Sequence, residues 1–359
     1  MLTPLLHVPR PGSETSEAVV GAYAFSATLA IQDITGLATS GVTASHIAKR
    51  LEPSAESEAL LFALVDRAAL RPVTALGYQE LGLDDLSHVD AWVFVSLPLL
   101  EDLDVLEANI VYDSALAPLP GDAWPDAPWQ CALSLLDELS VSLNRPTRHV
   151  WVTHAPGDFE PPALHTSGYR RAFREDQATF SVAHDDRLES LGEVSVEVVE
   201  GPGFGVARTA AVSELEEFSA LLTSASRDYP RGDLELQTIQ WDLQRIIDAG
   251  ERLTDRGGMQ LTGIARVAGQ LVGMCEVVQY RSDDPKVCEL GLIYVLPEYR
   301  GRLVGSAVIR ATLERAREVW EDLDTVYCSY PAGSAAAEAI MRTLGASVVS
   351  STTAWQATR

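Results

Sequence analysis

The stretch from Val287 to Trp320 constrains this chain more than any other. It reads VCELGLIYVLPEYRGRLVGSAVIRATLERAREVW. Val287 to Leu296 is dense in β-branched and apolar residues, the composition of a largely buried strand. Pro297 stops it, because proline has no N–H to give to a sheet ladder. From Val308 the apolar residues fall at Val308, Ile309, Leu313, Ala316 and Val319 or Trp320, with Glu314, Arg315, Arg317 and Glu318 between them. That spacing predicts an amphipathic helix. The joining segment is Arg300-Gly301-Arg302-Leu303-Val304-Gly305-Ser306.

A strand, a glycine-bearing loop and a helix in that order suit an anion. Small residues let the backbone approach a ligand closely. The first helical amides have no intrahelical acceptor, and with the helix dipole they favour a phosphate or diphosphate. Arg300 and Arg302 add positive charge beside them. A plain strand-to-helix turn with solvated arginines has the same glycine count, so these features alone do not separate the two readings.

The wording of the loop goes further. LIYVLPEYRGRLVGSAV resembles the acyl-CoA-binding loop of the GCN5-related N-acetyltransferase (GNAT) superfamily, whose pattern is Arg or Gln, two residues, Gly, one residue, then Gly or Ala. Arg300 matches the first position and Gly305 the last. Leu303 replaces the middle glycine, and its amide stays available to a ligand if its φ is negative. The resemblance implies acetyl-CoA or another acyl-CoA as co-substrate, with Arg300, Gly301, Arg302, Leu303, Val304, Gly305 and Ser306 around the diphosphate. In that family the strand before the loop splays from its neighbour, which sets Val295 against the pantetheine and the acyl oxygen. Ser334 falls where relatives place an asparagine on the pantetheine arm; it reads equally well as a helix N-cap.

The chain has 359 residues, enough for one large or two ordinary domains. Its net charge is −24. Binding to a phosphate backbone is driven by Lys and Arg, so this balance argues against nucleic acid. An acidic surface attracts cationic small molecules, and equally serves solubility. Cys131, Cys275, Cys288 and Cys328 form no Cys-x-x-Cys pair. They predict reduced thiols in a cytoplasmic protein with no metal site. No basic-then-apolar leader and no apolar run of membrane-spanning length is read from the sequence. Oligomeric state leaves no trace in it. All seven histidines lie at or before His184, so no histidine near Arg300 in sequence can be a base.

Residues 1–16 read as a loose arm or an edge strand, and Glu17 to Arg50 as helix broken near Gly36 and Gly41. ALLFALVDRA (Ala59–Ala68) is a strand or a helix. AWVFVSLPLL, VLEANIVYDSAL and HVWVT read as strands, and WQCALSLLDELSVSL as an amphipathic helix. Leu119 to Pro128 is loop. Asp185 to Gly192 reads as the start of a linker. Beyond it the pattern predicts a strand at Val194–Val199 and a helix at Ser213–Ser226 with a capping box from Ser213 and Glu216. A second helix follows at Leu236–Arg256, then strands at Met259–Val267 and Leu271–Gln279 turning at Gly269. After the long helix come a strand at Thr325–Ser329, a helix at Ala335–Leu344 ended by Gly345, and a last strand at Ala346–Trp355.

This order resembles the GNAT fold over residues 195–359. MRTLGASVV is similar to its final helix and strand, with Ala346 replacing a common phenylalanine. Residues 1–190 repeat the order weakly, with SGYRR standing where TLGAS stands later. ALAPLPGDAWPDAPW takes the place of the phosphate loop there and has no arginine. The expectation is therefore an α/β (α+β, mixed-sheet) chain of two tandem GNAT-like domains with a degenerate N-terminal copy. That layout is similar to mycothiol synthase and other actinobacterial tandem members.

Acyl transfer to an amine needs a base and a donor for the developing oxyanion, and the leaving thiolate can draw on an acid. Glu289 lies eleven residues before Arg300, where some relatives carry a basic glutamate. Regular alternation puts Glu289, Gly291, Ile293 and Val295 on one face. Many relatives hold their acid tyrosine where Met341 stands. Tyr294, Tyr327 and Tyr330 are substitutes, Tyr330 being nearest the expected cofactor sulfur. The leading expectation is an N-acyltransferase acting on a primary amine of a small cationic molecule. A transferase of this fold with another donor, such as aminoacyl-tRNA, and a non-catalytic acyl-CoA-binding scaffold or sensor are the alternatives.

Overall fold

A computed structural model describes residues 2–37, 43–118, 123–157, 161–182, 194–208, 212–281 and 284–359. The first half forms β1 (Thr3–Leu6), α1 (Glu14–Thr35), α2 (Ala44–Arg50), β2 (Ser57–Val65), β3 (Gln79–Glu80), β4 (Val89–Pro98), β5 (Val105–Tyr112), α3 (Asp126–Ser142), β6 (Thr147–His154), α4 (Pro162–Thr166) and β7 (Arg170–Ser181). The second half forms β8 (Val194–Glu200), α5 (Val212–Asp228), α6 (Leu243–Asp255), β9 (Gly258–Val267), β10 (Gln270–Tyr280), β11 (Val287–Val295), α7 (Val304–Val319), β12 (Thr325–Pro331), α8 (Ala335–Leu344) and β13 (Ser347–Thr358). The linker expected at Asp185–Gly192 and the break near Gly41 lie outside the described residues, as does the Ser213 side chain.

Local chemistry sets many of these boundaries. Ser13 caps α1 by accepting the Ser16 amide, and Gly36 ends it at φ 68°. Ala268 and Gly269, at φ 50° and 83°, make the tight β9–β10 turn. Ser334 caps α8 and Gly345 closes it at φ 69°.

The chain divides into two compact units. One comprises Met1–Arg174, Arg231–Gln237 and Ser350–Arg359; the other comprises Glu175–Pro230 and Thr238–Val349. These units do not follow the halves 1–190 and 195–359. Each unit needs a strand to close the far side of its last parallel strand, and each takes it from the opposite half. In the first unit Ser351–Thr358 pairs antiparallel with β6. In the second, Glu175–Ser181 pairs antiparallel with β12.

The strands of the two units follow one plan. In the first unit the order is β3-β1-β2-β4-β5-β6-β13, and in the second it is β7-β12-β11-β10-β9-β8. Each has an antiparallel meander, β1-β2-β4-β5 or β8-β9-β10-β11, then one parallel pair, β5-β6 or β11-β12. β1 is bonded on both sides, to β2 and β3, so the segment is neither a loose arm nor an edge.

The expected helix at Leu236–Arg256 is shorter and starts at Leu243. Asp242 caps it by accepting the Arg245 amide at 2.8 Å. The residues before it spend their amides elsewhere. Ile239 N–H donates to Ser226 Oγ (2.9 Å) and Trp241 N–H to Thr223 Oγ1 (3.0 Å), both hydroxyls of α5. A helix cannot form on donors already used.

In the second unit the sheet is sandwiched. On one face α7 lays Val304, Val308, Ile309, Leu313 and Ala316 against Cys275, Val277 and Leu290. Gly263 of β9 admits it, since a Cβ there would collide with the Thr312 hydroxyl. On the other face Phe218, Leu221, Leu222 and Ala225 of α5, with Ile246 of α6, cover Met274 and Tyr294. Each such side chain, fully buried, contributes about 1.5–3 kcal/mol. One helix among the described residues, α1, is by length and composition alone long and apolar enough to span a bilayer, which the sequence reading missed. Its Val19, Val20, Tyr23, Ala24 and Ala27 are buried against Leu61, Ala63, Trp92 and Phe94 of the first unit's sheet.

Candidate active site

The site is built where β11 leaves β12. The ladder between them runs from Val287↔Thr325 to Leu290↔Cys328 and stops there. β12 continues beside β7 to Pro331, while β11 continues beside β10 to Val295. A wedge therefore opens past Leu290. Backbone groups along an opened edge need a partner from outside the ladder.

A bulge lies at the same point. Leu290 pairs with Val277 but Ile293 pairs with Cys275, so Gly291 and Leu292 together oppose Glu276. One extra residue flips the alternation. Ile293 and Val295 share the α7 face with Leu290, while Tyr294 joins Met274 on the α5 face. Glu289 pairs with Val278 and lies on the α5 face, opposite Val295. Regular alternation had placed the two together; the bulge corrects it. Glu289 is exposed, with Tyr327 as its neighbour on β12.

The loop beyond β11 ends on a left-handed residue. Leu303 has φ 58° and ψ 12° and precedes α7 directly. The condition set for the Leu303 amide, a negative φ, is not met: the backbone adopts the conformation that the family's glycine permits. For a branched side chain this costs roughly 1–2 kcal/mol. Ala307 N–H bonds the Leu303 carbonyl at 2.9 Å, so the amides of Val304, Gly305 and Ser306 open the helix with no intrahelical acceptor. A Cβ on Gly301 would meet nothing within 4 Å. This is a cradle with free donors and open space, and it fits a diphosphate. Leu303→Gly is expected to stabilise the fold by roughly 0.5 kcal/mol, strain relief offset by backbone entropy, and to tighten acetyl-CoA binding a few-fold. Thermal unfolding and calorimetry check this.

The two arginines differ. Arg302 is exposed, its guanidinium 5.5 Å from the Tyr299 ring centre. Arg300 is tied down: Nε donates to the Val295 carbonyl (2.9 Å) and Nη2 to Asp228 Oδ2 (3.2 Å), over the Tyr294 ring. Arg300 thus clamps the strand end to α5 rather than standing free beside the helix. Tyr294 O–H donates to the same Asp228 oxygen at 2.6 Å. Burial, then the Asp228 bond, pushes Tyr294 up to about 12. The Tyr294 bond is the largest cause holding Asp228 below the usual carboxylate range; partial burial opposes it, and Arg227 and Arg300 add to it. A depressed carboxylate gives stability that is present above its unfolded value, near 3.9, and is lost as pH falls through the folded value. Asp228→Asn is expected to start less stable at neutral pH and to lose less than wild type between about pH 5 and 3. Urea midpoints across that range measure it.

Tyr330 is buried in the α7-face cluster with Cys328 and Met341, on the face that carries Val295. The Ser334 hydroxyl accepts the Ala337 amide at 3.5 Å, which is an N-cap geometry. The sequence reading missed Glu276, a carboxylate in the middle of β10, and Asp228. Neither lies near the glycine loop in the chain.

Among the described residues the first unit keeps the wedge and shows no matching cradle. β5 pairs with β6 only from Val105 to Asn109. Aromatic side chains stand where its next helix begins: Trp124 sits 5.6 Å from Tyr112 and 5.9 Å from Trp129, centre to centre. Tyr112 O–H donates to the Pro125 carbonyl at 2.8 Å. Asp126 puts a negative charge in the first turn of α3, against any anion.

Residues 218–345 match the family model described as acetyltransferase (GNAT) family. No curated protein matches the sequence. Solved structures do match in fold. A tandem GNAT protein from the clavulanic acid biosynthesis pathway is 15% identical at a TM-score of 0.65, over 100% of this chain and 98% of its own. A GCN5-related N-acetyltransferase from Sphaerobacter thermophilus is 12% identical at 0.59, over 99% and 95%. The architecture is thus that of a tandem GNAT protein, α/β with mixed sheets. The family's sequence pattern is matched within its second half, over residues 218–345.

Proposed function

We propose that this protein is an N-acyltransferase that moves an acetyl or other short acyl group from acyl-CoA to a primary amine on a small cationic molecule. The observation that carries this is the wedge between β11 and β12 running directly into the free amides of Val304, Gly305 and Ser306. Val295 and Gly305 stand at its end, a Cβ on Gly305 lying 3.7 Å from Val295 Cγ2.

Acyl-CoA supplies a thioester whose carbonyl carbon the amine attacks, exchanging a C–S bond for a C–N bond. The chain's residues would do the rest. Glu289, on the open α5 face, takes the proton the amine loses. Backbone donors on the opened edge of β11 stabilise the oxyanion. Tyr330, on the opposite face, gives a proton to the leaving sulfur. Base and acid thus approach the wedge from opposite sides. Ser334 serves as the N-cap of α8, beside the pantetheine arm. An acidic chain of net charge −24 favours a cationic acceptor and disfavours nucleic acid. Free cysteines, Cys275, Cys288 and Cys328 buried among them, accord with a cytoplasmic setting. No metal takes part in this scheme.

CoA release from acetyl-CoA over a panel of amino sugars, polyamines and amino acids tests the reading. Turnover with at least one amine is expected. Tight acetyl-CoA binding with no turnover on any of them points instead to a sensor.

A further inference from the structure

Glu276 is a carboxylate that its apolar surroundings do not explain. It stands between Cys275 and Val277, both fully buried, in a strand where valine would fit without desolvation cost. It faces the α5 side, with Thr262 of β9 as its ladder partner. Gln260 Nε2 donates to Glu276 Oε1 at 2.6 Å. Gln260 is itself oriented, since its Oε1 accepts the Phe204 amide at 2.9 Å. Gly291 and Leu292, the two residues of the bulge, stand opposite this carboxylate. A Cβ on Gly291 would lie 3.2 Å from Oε2, so glycine leaves that oxygen uncrowded. The buried Thr262 hydroxyl beside it has no hydrogen-bond partner among the described residues. Glu289 lies diagonally across on the same face, its ladder partner Val278 being two residues from Glu276. Long side chains interact over that separation.

We propose that Glu276 is a positioning residue for the acyl-transfer site, propping the bulge of β11 at Gly291 and acting on Glu289 across the sheet face. The purpose rests on the acyltransferase reading above. With the bulge propped there, Ile293 to Val295 leave β12 along a fixed path, and the wedge keeps its shape. Glu276 also adds negative charge on the side where an ammonium would dock. Burial pushes its carboxyl above the usual glutamate range; Gln260 pulls it back, Glu289 pushes it up, and Leu292 and Arg256 pull it down. These are the charged and polar groups that act on it.

The test follows glutamate side-chain carboxyl carbons by NMR titration in full-length wild type, Glu276→Gln and Glu289→Gln. The signal missing from Glu276→Gln identifies Glu276. It is expected to titrate above the ordinary value and to move down in Glu289→Gln, where the like charge is gone. A titration in the ordinary range, or one that Glu289→Gln does not move, overturns the coupling. A second arm measures acetyl-CoA by calorimetry. Glu276→Ala removes the side chain that stands against Gly291 and holds Gln260, and is expected to bind about tenfold more weakly. Glu276→Gln keeps the shape and an oxygen for Gln260 and should stay within about threefold. Unchanged binding in Glu276→Ala overturns the positioning role. If wild type itself fails to bind acetyl-CoA, the acyltransferase reading falls and the positioning role with it, while the titration still decides the carboxylate pair.

Discussion

Gly305→Asp is expected to abolish acetyl-CoA binding while leaving the fold intact. The backbone at Gly305 is not left-handed, and a Cβ there meets Val295 Cγ2 at an ordinary 3.7 Å. An aspartate in the first turn of α7 is favourable to the helix dipole. Its carboxylate, however, competes for the Val304–Ser306 amides and repels the diphosphate. A unit charge about 4 Å away costs about 4 kcal/mol near a protein surface, so the loss should reach on the order of a hundredfold or more. Gly305→Ala is the matched control and should bind nearly as wild type. Calorimetry gives the affinity, and an unchanged melting temperature shows that the loss is local.

Glu289→Gln should separate chemistry from binding. Glu289 sits within the β11–β12 ladder, before the wedge opens and away from the start of α7. Acetyl-CoA affinity is therefore expected to stay within about twofold, since no charge near the helix amides changes. Removing a positioned base costs on the order of 10²–10⁴ in turnover. Once an accepted amine is in hand, steady-state rates decide it. A variant with near wild-type kcat moves the base elsewhere on the α5 face, with Glu276 next in line.

What the sequence shows and hides follows from where each signal resides. The helix Ala335–Leu344 is readable to the residue, because Ser334 and Gly345 are local caps. The β9–β10 turn is likewise written in Ala268-Gly269. The bulge is not readable, since it exists only in the pairing of Leu290 with Val277 and Ile293 with Cys275. Missing it put Glu289 on the wrong face. The closing strands Glu175–Ser181 and Ser351–Thr358 look like the ends of their own halves, and only the ladders to β12 and β6 show which unit each completes. Residues 236–242 carry helix-compatible side chains, yet hydroxyls of α5 take the amides of Ile239 and Trp241. Glu276 did leave a signal: a lone acidic residue inside GMCEVV contradicts a buried strand and invites a question about its partners.

Amide hydrogen exchange on the full chain, with and without saturating acetyl-CoA, addresses the central claim most directly. Protection is expected to rise across Gly291 to Ala307, strongest at Val304, Gly305 and Ser306, with Val105 to Leu139 unchanged. Protection confined to Val105–Leu139, or no change anywhere on the chain, contradicts the account.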